Sequence, residues 1–341
     1  MANSHGVDRG GAGGAITSGD IAIVIVNFNG GDLLLRCLDA LAKQTVIPGC
    51  IIVVDNHSQD ESPHVIRRRY PKVTLVQLDR NQGFAAATNR GIEHASRFRW
   101  IASLNPDAFP EENWVAALVD AVNRHHDCAC FGCRMIDDGD RSRIDGTGDT
   151  YHVSGLAWRT DHGKSVDTVS DQVREIFSPC AAAALYDRQV LLDVGGFDET
   201  FFCYFEDVDL GFRLRLAGYR CLHVGTAVVY HVGSGLTGRN SDFSIYHGHR
   251  NLVWSYFKNM PTRLLWHYLL QHLLLNIATL LFYGFTGRFS VIARSKIDAI
   301  RGLPAMLQER RRVQSLRRVR NRDLRGLMVR GFWKPYIGRH V

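Results

Sequence analysis

Residues 21–41 read IAIVIVNFNGGDLLLRCLDAL, and this stretch decides the fold. Ile21 to Asn27 is an unbroken apolar run rich in β-branched residues, the pattern of a strand buried on both faces. Asn29, Gly30 and Gly31 break it, and Asp32 can cap a helix that carries Leu34, Leu38 and Leu41 at helical spacing. The pattern then recurs. Strands are predicted at Cys50–Val54, Val73–Leu78 and Trp100–Leu104, alternating with helices at Val65–Tyr70, Phe84–Phe98 and Glu111–Asn123. Strand–helix alternation with short connections predicts an α/β fold, a parallel sheet flanked by helices. Such sheets bind ligands outside the carboxyl ends of their strands. Those ends carry Asn27 and Asn29, Asp55 and Asn56, Asn81, then Asn105 and Asp107. Asn and Asp favour any turn, but the same chemistry after four strands in a row points to a site.

Farther along, residues 134–175 are charged and interrupted by glycine, and they read as a loop-rich insertion. The pattern resumes with an apolar Ala181–Tyr186 and a helix Arg188–Val194 closed by Gly195–Gly196. Five aromatics at 197–205 then lead into Glu206, Asp207 and Asp209, a helix Leu210–Ala217 and a strand-like Cys221–His231.

Composition bounds the class. Of 341 residues, 45% are hydrophobic and 22% charged, which excludes a disordered chain, and a mean hydropathy of −0.12 excludes a polytopic membrane protein. The net charge of +7 is uneven: Arg288–Val341 holds 15 basic and 3 acidic residues, so the rest is mildly acidic. Such a tail suits a polyanion, either nucleic acid or an anionic membrane surface. Eight cysteines sit mostly in apolar runs as small hydrophobes; Cys128, Cys130 and Cys133 could form half a metal site, but no second pair follows at zinc spacing. Residues 1–19 read as a flexible leader without a secretory signal, so a reducing cytoplasmic compartment is expected.

No P-loop lysine motif, no GxGxxG after the first strand and no GxSxG elbow is present. Carboxylates at strand ends with a histidine make an oxygen-rich set suited to Mg²⁺ or Mn²⁺ on a diphosphate. Five segments occur in one order: IVIVNFNGGDLLLRCLDAL, VVDNHSQD, RNQGFAAATNRG, LNPDA and GGFDETFFCYFEDVDLGFRLRLAGYR. Together they resemble the GT-A glycosyltransferases of family 2, in the branch of bacterial rhamnosyltransferases and galactofuranosyltransferases, over roughly residues 20–260.

The resemblance implies an inverting transfer from a nucleotide-sugar. Val26, Asn27, Phe28 and Asp55 would hold base and ribose, although Asp55 also suits a turn cap. Asn81, Gly83, Phe84 and Asn89 would line the sugar-nucleotide cleft; Gly83 suits either close approach of a phosphate or the start of a helix. LNPDA stands where a metal-binding DxD is expected, with Asn105 in place of the first Asp and Asp107 as the metal carboxylate. His231 would complete the metal shell, against the alternative of a core histidine. Asp207 would take the proton of the acceptor hydroxyl, Glu206 would contact acceptor hydroxyls, and Asp209 is expected to cap or to pair with Arg213. A solvated helix start is the plainer reading of this cluster, and the flanking aromatics oppose it. Arg250 would reach a diphosphate or pair on a helix surface.

Leu264–Thr286 runs 23 residues without a charge, 16 of them apolar, yet holds His267, Gln271, His272, Asn276 and Thr279. It is long enough to span a membrane and polar enough to favour an interfacial helix or a hairpin packed on the body. With the basic clusters behind it, residues 261–341 form an amphipathic, basic helical region expected to seek anionic lipid rather than nucleic acid. The expectation is a glycosyltransferase at the cytoplasmic face of the membrane. Its donor would be dTDP-rhamnose and its acceptor the hydroxyl of a lipid-linked glycan. A sugar nucleotidyltransferase and a non-catalytic membrane scaffold are the rivals.

Overall fold

The computed structural model describes residues 15–233 and 241–334. The chain opens with β1 (Ile21–Asn27), α1 (Gly31–Ala42), β2 (Cys50–Asp55), α2 (Ser62–Arg69), β3 (Thr74–Gln77), α3 (Gly83–His94), β4 (Trp100–Leu104), β5 (Ala108–Pro110) and α4 (Trp114–Arg124). A central segment adds β6 (Cys128–Asp137), β7 (Ile144–Gly146), β8 (Asp149–Tyr151), β9 (Ala157–Arg159), β10 (Arg174–Glu175), β11 (Ala183–Asp187) and α5 (Arg188–Asp193). The remainder is α6 (Glu206–Leu216), β12 (Arg220–His231), α7 (Asp242–Asn259), α8 (Thr262–Phe285), α9 (Phe289–Ser315) and α10 (Asn321–Leu327).

The sheet runs β10-β12-β6-β11-β4-β1-β2-β3. The half β4-β1-β2-β3 is parallel, with Asn27 opposite Asp55 and Ile25 opposite Leu104. The other half is mixed: β11 runs antiparallel to both β4 and β6, and β12 runs parallel to β6. Alternation along β1 splits the core. Ile21, Ile23 and Ile25 pack with α1 and α4, whereas Ala22, Val24 and Val26 pack with α3, α5 and α6.

Two expectations need correction. Residues 134–137 finish a ten-residue central strand, and the three cysteines of β6 are buried core. Its mixture of Cys, Gly, Arg and Asp hides the period, because neighbours cover both faces of β6. The leader, whose first 14 residues lie outside the described ones, ends before Ile16. The Ile16 N–H donates to Asn123 Oδ1 (2.8 Å), and Asn123 Nδ2 donates back to the Ile16 carbonyl (3.0 Å).

Beyond residue 260 the helices pack back on the body. Leu264, Leu265 and Tyr268 of α8 and Val313 of α9 share one cluster with Phe212 and Leu216 of α6 and with Tyr151. In α8 large side chains stand on both faces. The inward row Leu264, Tyr268, His272, Leu275, Thr279, Tyr283 is at most 8% exposed, and the outward row Trp266, Leu270, Leu273, Ile277, Leu281, Phe285 is 48–88% exposed. His272 stacks on Tyr256 at 3.9 Å between ring centroids, and its Nδ1 pairs with the Ser154 carbonyl at 2.8 Å. His272 and Thr279 of α8 thus face protein, and a row of large apolar side chains faces outward.

Candidate active site

A cavity of about 650 Å³ opens at the carboxyl ends of β1, β2 and β4, where the sheet rule expects a ligand. Asn56, following β2, builds its first wall. Its amide donates to Asn81 Oδ1 (2.9 Å) and its Oδ1 accepts the Gln82 N–H (2.8 Å), while Asn81 Oδ1 also accepts the Gly83 N–H (2.9 Å). These bonds fix the turn into α3. Gly83 has φ +85°, and a Cβ there would fall 2.6 Å from the Phe202 ring and carbonyl, so only glycine fits.

The opposite wall is the loop into α6. Phe202, Tyr204 and Phe205 all have positive φ, which costs about 1–3 kcal/mol each unless the surroundings enforce it. They do: Asn251 Nδ2 lies 2.7–3.0 Å from the carbonyls of Phe201, Cys203 and Tyr204. Arg250 Nη2 donates to the Phe201 carbonyl (3.0 Å). The loop delivers Glu206 and Asp207 to the cavity. Asp207 Oδ2 accepts the Ala181 N–H (3.1 Å) and Oδ1 that of Val208 (2.8 Å), which aims the carboxylate. Glu206 is buried with Oε2 unpartnered among the described residues, and burial together with the Asp207 charge pushes its carboxyl well above the usual range.

Asp209 turns away into the protein. It pairs with Arg213 (2.9 Å) and Lys258 (2.7 Å) and accepts from Asn259 (2.7 Å), all fully buried. The expected pairing with Arg213 is present.

At the end of β12, His231 Nε2 lies 3.4 Å from Asp107 Oδ1 and makes no hydrogen bond among the described residues. Its Nδ1 is 2.8 Å from Asp145 Oδ2. Burial pulls the imidazole down, but Asp107 and Asp145 outweigh it and its pKa is raised. Asp145 also accepts from Arg159. Burial opposes its charge, and Arg159 with His231 overrides this, holding the carboxyl well below the usual range. Asp149 lines the same cavity, where burial and Asp207 push its carboxyl well up.

Val26, Phe28, Asn81, Gly83, Phe84, Asn105, Asp107, Glu206, Asp207 and His231 therefore meet around one cavity. Four expected residues do not line it. Asn27 is fully buried, and its amide donates to Asp55 (2.9 Å), Ser58 and Ser62, so Asn27 and Asp55 tie the ends of β1 and β2 together. Asn89 latches the Phe197 backbone by two hydrogen bonds (2.8 and 3.0 Å). Arg250 straps the 200–201 carbonyls and covers the Trp254 ring at 4.2 Å. Strand ends and loop anchors demand the same polar residues as a ligand does, which is why they read alike. The sequence reading missed Asp145, Asp149 and Arg159. IDGTGDTY has no amphipathic period; its one signal is a pair of carboxylates among small residues.

Comparison with known proteins follows this geometry. Residues 22–195 match the family described as Glycosyl transferase family 2. The chain is 30% identical over 241 residues to the N-acetylglucosaminyl-diphospho-decaprenol L-rhamnosyltransferase of Mycobacterium tuberculosis, covering 64% of this chain and 78% of that one. Among solved structures, GalNAc-T7 with UDP, GalNAc and Mn²⁺ superposes with a TM-score of 0.57 at 17% identity, over 70% of this chain and 47% of that longer one. The mannosyltransferase PcManGT of Pyrobaculum calidifontis with GDP-Man and Mn²⁺ gives 0.52 at 17% identity, over 87% and 85%. These likenesses carry the fold, and the family match selects the transferase among the readings open from sequence. The chain belongs to glycosyl transferase family 2 and is a glycosyltransferase with a GT-A fold.

Proposed function

We propose that the chain transfers a sugar, with inversion, from a nucleotide-sugar to a hydroxyl of a lipid-linked glycan at a membrane surface. L-rhamnose from dTDP-rhamnose is the donor we favour, because the Mycobacterium tuberculosis relative is a rhamnosyltransferase with a diphospho-decaprenol acceptor. The observation that carries the reading is one cavity lined by Asp107, His231 and Asp207.

Asp207 is the general base. Two backbone N–H groups hold its carboxylate at the cavity, where it accepts the acceptor's proton. Glu206, carrying a proton at its unpartnered oxygen, hydrogen-bonds an acceptor hydroxyl. Gly83 lets the Phe202 loop close against the start of α3, at the cavity wall. Asn105 and Phe28 contact the nucleoside.

Asp107 and His231 suit a divalent cation, Mg²⁺ or Mn²⁺. The His231 Nε2 is buried without a hydrogen bond among the described residues, and its 3.4 Å separation from Asp107 Oδ1 is close to the ~3 Å between adjacent ligands with ~2.1 Å bonds. Such an ion takes one or two protein ligands and completes its shell from phosphates and water. When bound it neutralises the charge of the departing diphosphate.

The outward apolar row of α8 supports docking in the plane of a bilayer. Thr262–Phe285 is long and apolar enough to cross a membrane, with a mean hydropathy of 1.4 over its most apolar 18 residues. Its inward face, however, is committed to protein contacts, which favours a helix lying in the interface. Exposed Arg263, Arg294, Arg301 and Arg311 on α8 and α9 match an anionic surface.

A donor screen tests the reading. Nucleoside diphosphate release is followed with dTDP-rhamnose and other nucleotide-sugars, with a GlcNAc-diphospho-lipid acceptor, with and without EDTA. Acceptor-dependent release that EDTA abolishes is expected. Formation of pyrophosphate from a sugar-1-phosphate and a nucleoside triphosphate, or release insensitive to both acceptor and EDTA, would overturn it.

A further inference from the structure

Behind the cavity, on the side away from Asp107, His231 meets a carboxylate that no sequence motif marks. β7 places Asp145 so that its Oδ2 lies 2.8 Å from His231 Nδ1, and the same oxygen accepts from Arg159 Nη1 on β9. His162 Nδ1 lies 2.8 Å from the Asp145 carbonyl and 3.8 Å from Oδ1. Asp145 and His231 are each only 2% exposed.

An ionised carboxylate can only accept hydrogen bonds. Nδ1 of His231 must therefore carry a proton, so in the neutral ring, the form that can bind a metal, the lone pair lies on Nε2. That atom faces Asp107 at 3.4 Å. Removing the carboxylate would free the ring to take the other tautomer and would release Arg159 from its anchor. A histidine that ligates a metal is held in this way, by a carboxylate on its other nitrogen.

We propose that Asp145 is a positioning residue for the divalent-cation site. It fixes the tautomer and orientation of His231 while holding Arg159 at the cavity wall. This rests on the reading of Asp107 and His231 as cation ligands. It goes beyond that reading by assigning a role to the 144–159 segment. Asp145 does not touch the cation or the sugar.

The test uses the full chain and Mn²⁺ alone, titrated by electron paramagnetic resonance. Asp145→Asn should weaken Mn²⁺ binding by about 10–100-fold. Asp145→Glu should recover part of the loss, and His231→Ala should lose binding altogether. Thermal melts confirm that each variant is folded. Wild-type affinity in Asp145→Asn, with binding lost in His231→Ala, would overturn the positioning role and leave the cation reading standing. Wild-type affinity in both variants, or no Mn²⁺ binding by the parent chain, would overturn the cation reading and the proposal with it. Should Asp145→Asn not fold, ¹⁵N-histidine NMR of the unmodified chain with saturating Mg²⁺ decides instead. A protonated Nδ1 and bare Nε2 on His231 are expected, and a proton on Nε2 would overturn the proposal.

Discussion

Asp207 and Asp209 stand two residues apart at the start of α6 and do opposite things. Asp207 is held at the cavity by backbone N–H groups, and Asp209 is sealed among Arg213, Lys258 and Asn259. Asp209→Ala would leave two buried cations short of a carboxylate, so a loss of about 3–5 kcal/mol in unfolding free energy is expected from urea denaturation. A loss below ~1 kcal/mol would mean that water or another group replaces it. Much of this was legible in sequence, because the i,i+4 spacing of Asp209 and Arg213 predicts their pairing. Asn27, Asp55, Asn89 and Arg250 were legible as polar residues near strand ends and loops, but not by task. Whether an amide meets a ligand or a neighbouring carbonyl depends on contacts such as Asn89 with Phe197, 108 residues apart in sequence.

Among the elements, the parallel strands announce themselves because burial on both faces enforces unbroken apolar runs. β6 is equally central, yet its CACFGCRMID does not read as one. The short strands β7, β8 and β9 carry Asp145, Asp149 and Arg159 on three residues each, too few for any period to register. The exposed row of α8 makes its own prediction. Replacing both Leu273 and Ile277 by Glu alters outward positions only, so the melting temperature should hold within a few degrees. Sedimentation with vesicles containing anionic lipid should fall at least tenfold. Undiminished sedimentation would show that the row does not meet lipid. Raising the salt concentration separates the contribution of the arginines, which is screened, from that of the apolar row, which is not.

For the molecule as a whole, burial of uncharged histidines sets an acid limit. Burial, aided by nearby cations, brings the pKa of both His223 and His249 down to about 3. Their unfolded value is near 6.5, so the unfolded chain takes up protons first as the pH falls. Stability is full above that value and declines below it, by about 2 kcal/mol per histidine between pH 7 and pH 5 at the upper limit. His231 has a raised pKa and works in the opposite direction, being stabilising when protonated. Melting temperatures should fall from pH 7 to pH 5, and His223→Gln should flatten the profile. The proposed transfer needs one cavity that joins the proposed cation ligands to the proposed base, and Asp207→Asn tests this most directly. With dTDP-rhamnose and a GlcNAc-diphospho-lipid, kcat should drop by about 10²–10⁴-fold while donor affinity stays within a few-fold. A variant that turns over within tenfold of the parent enzyme would contradict the assignment of Asp207 as the base.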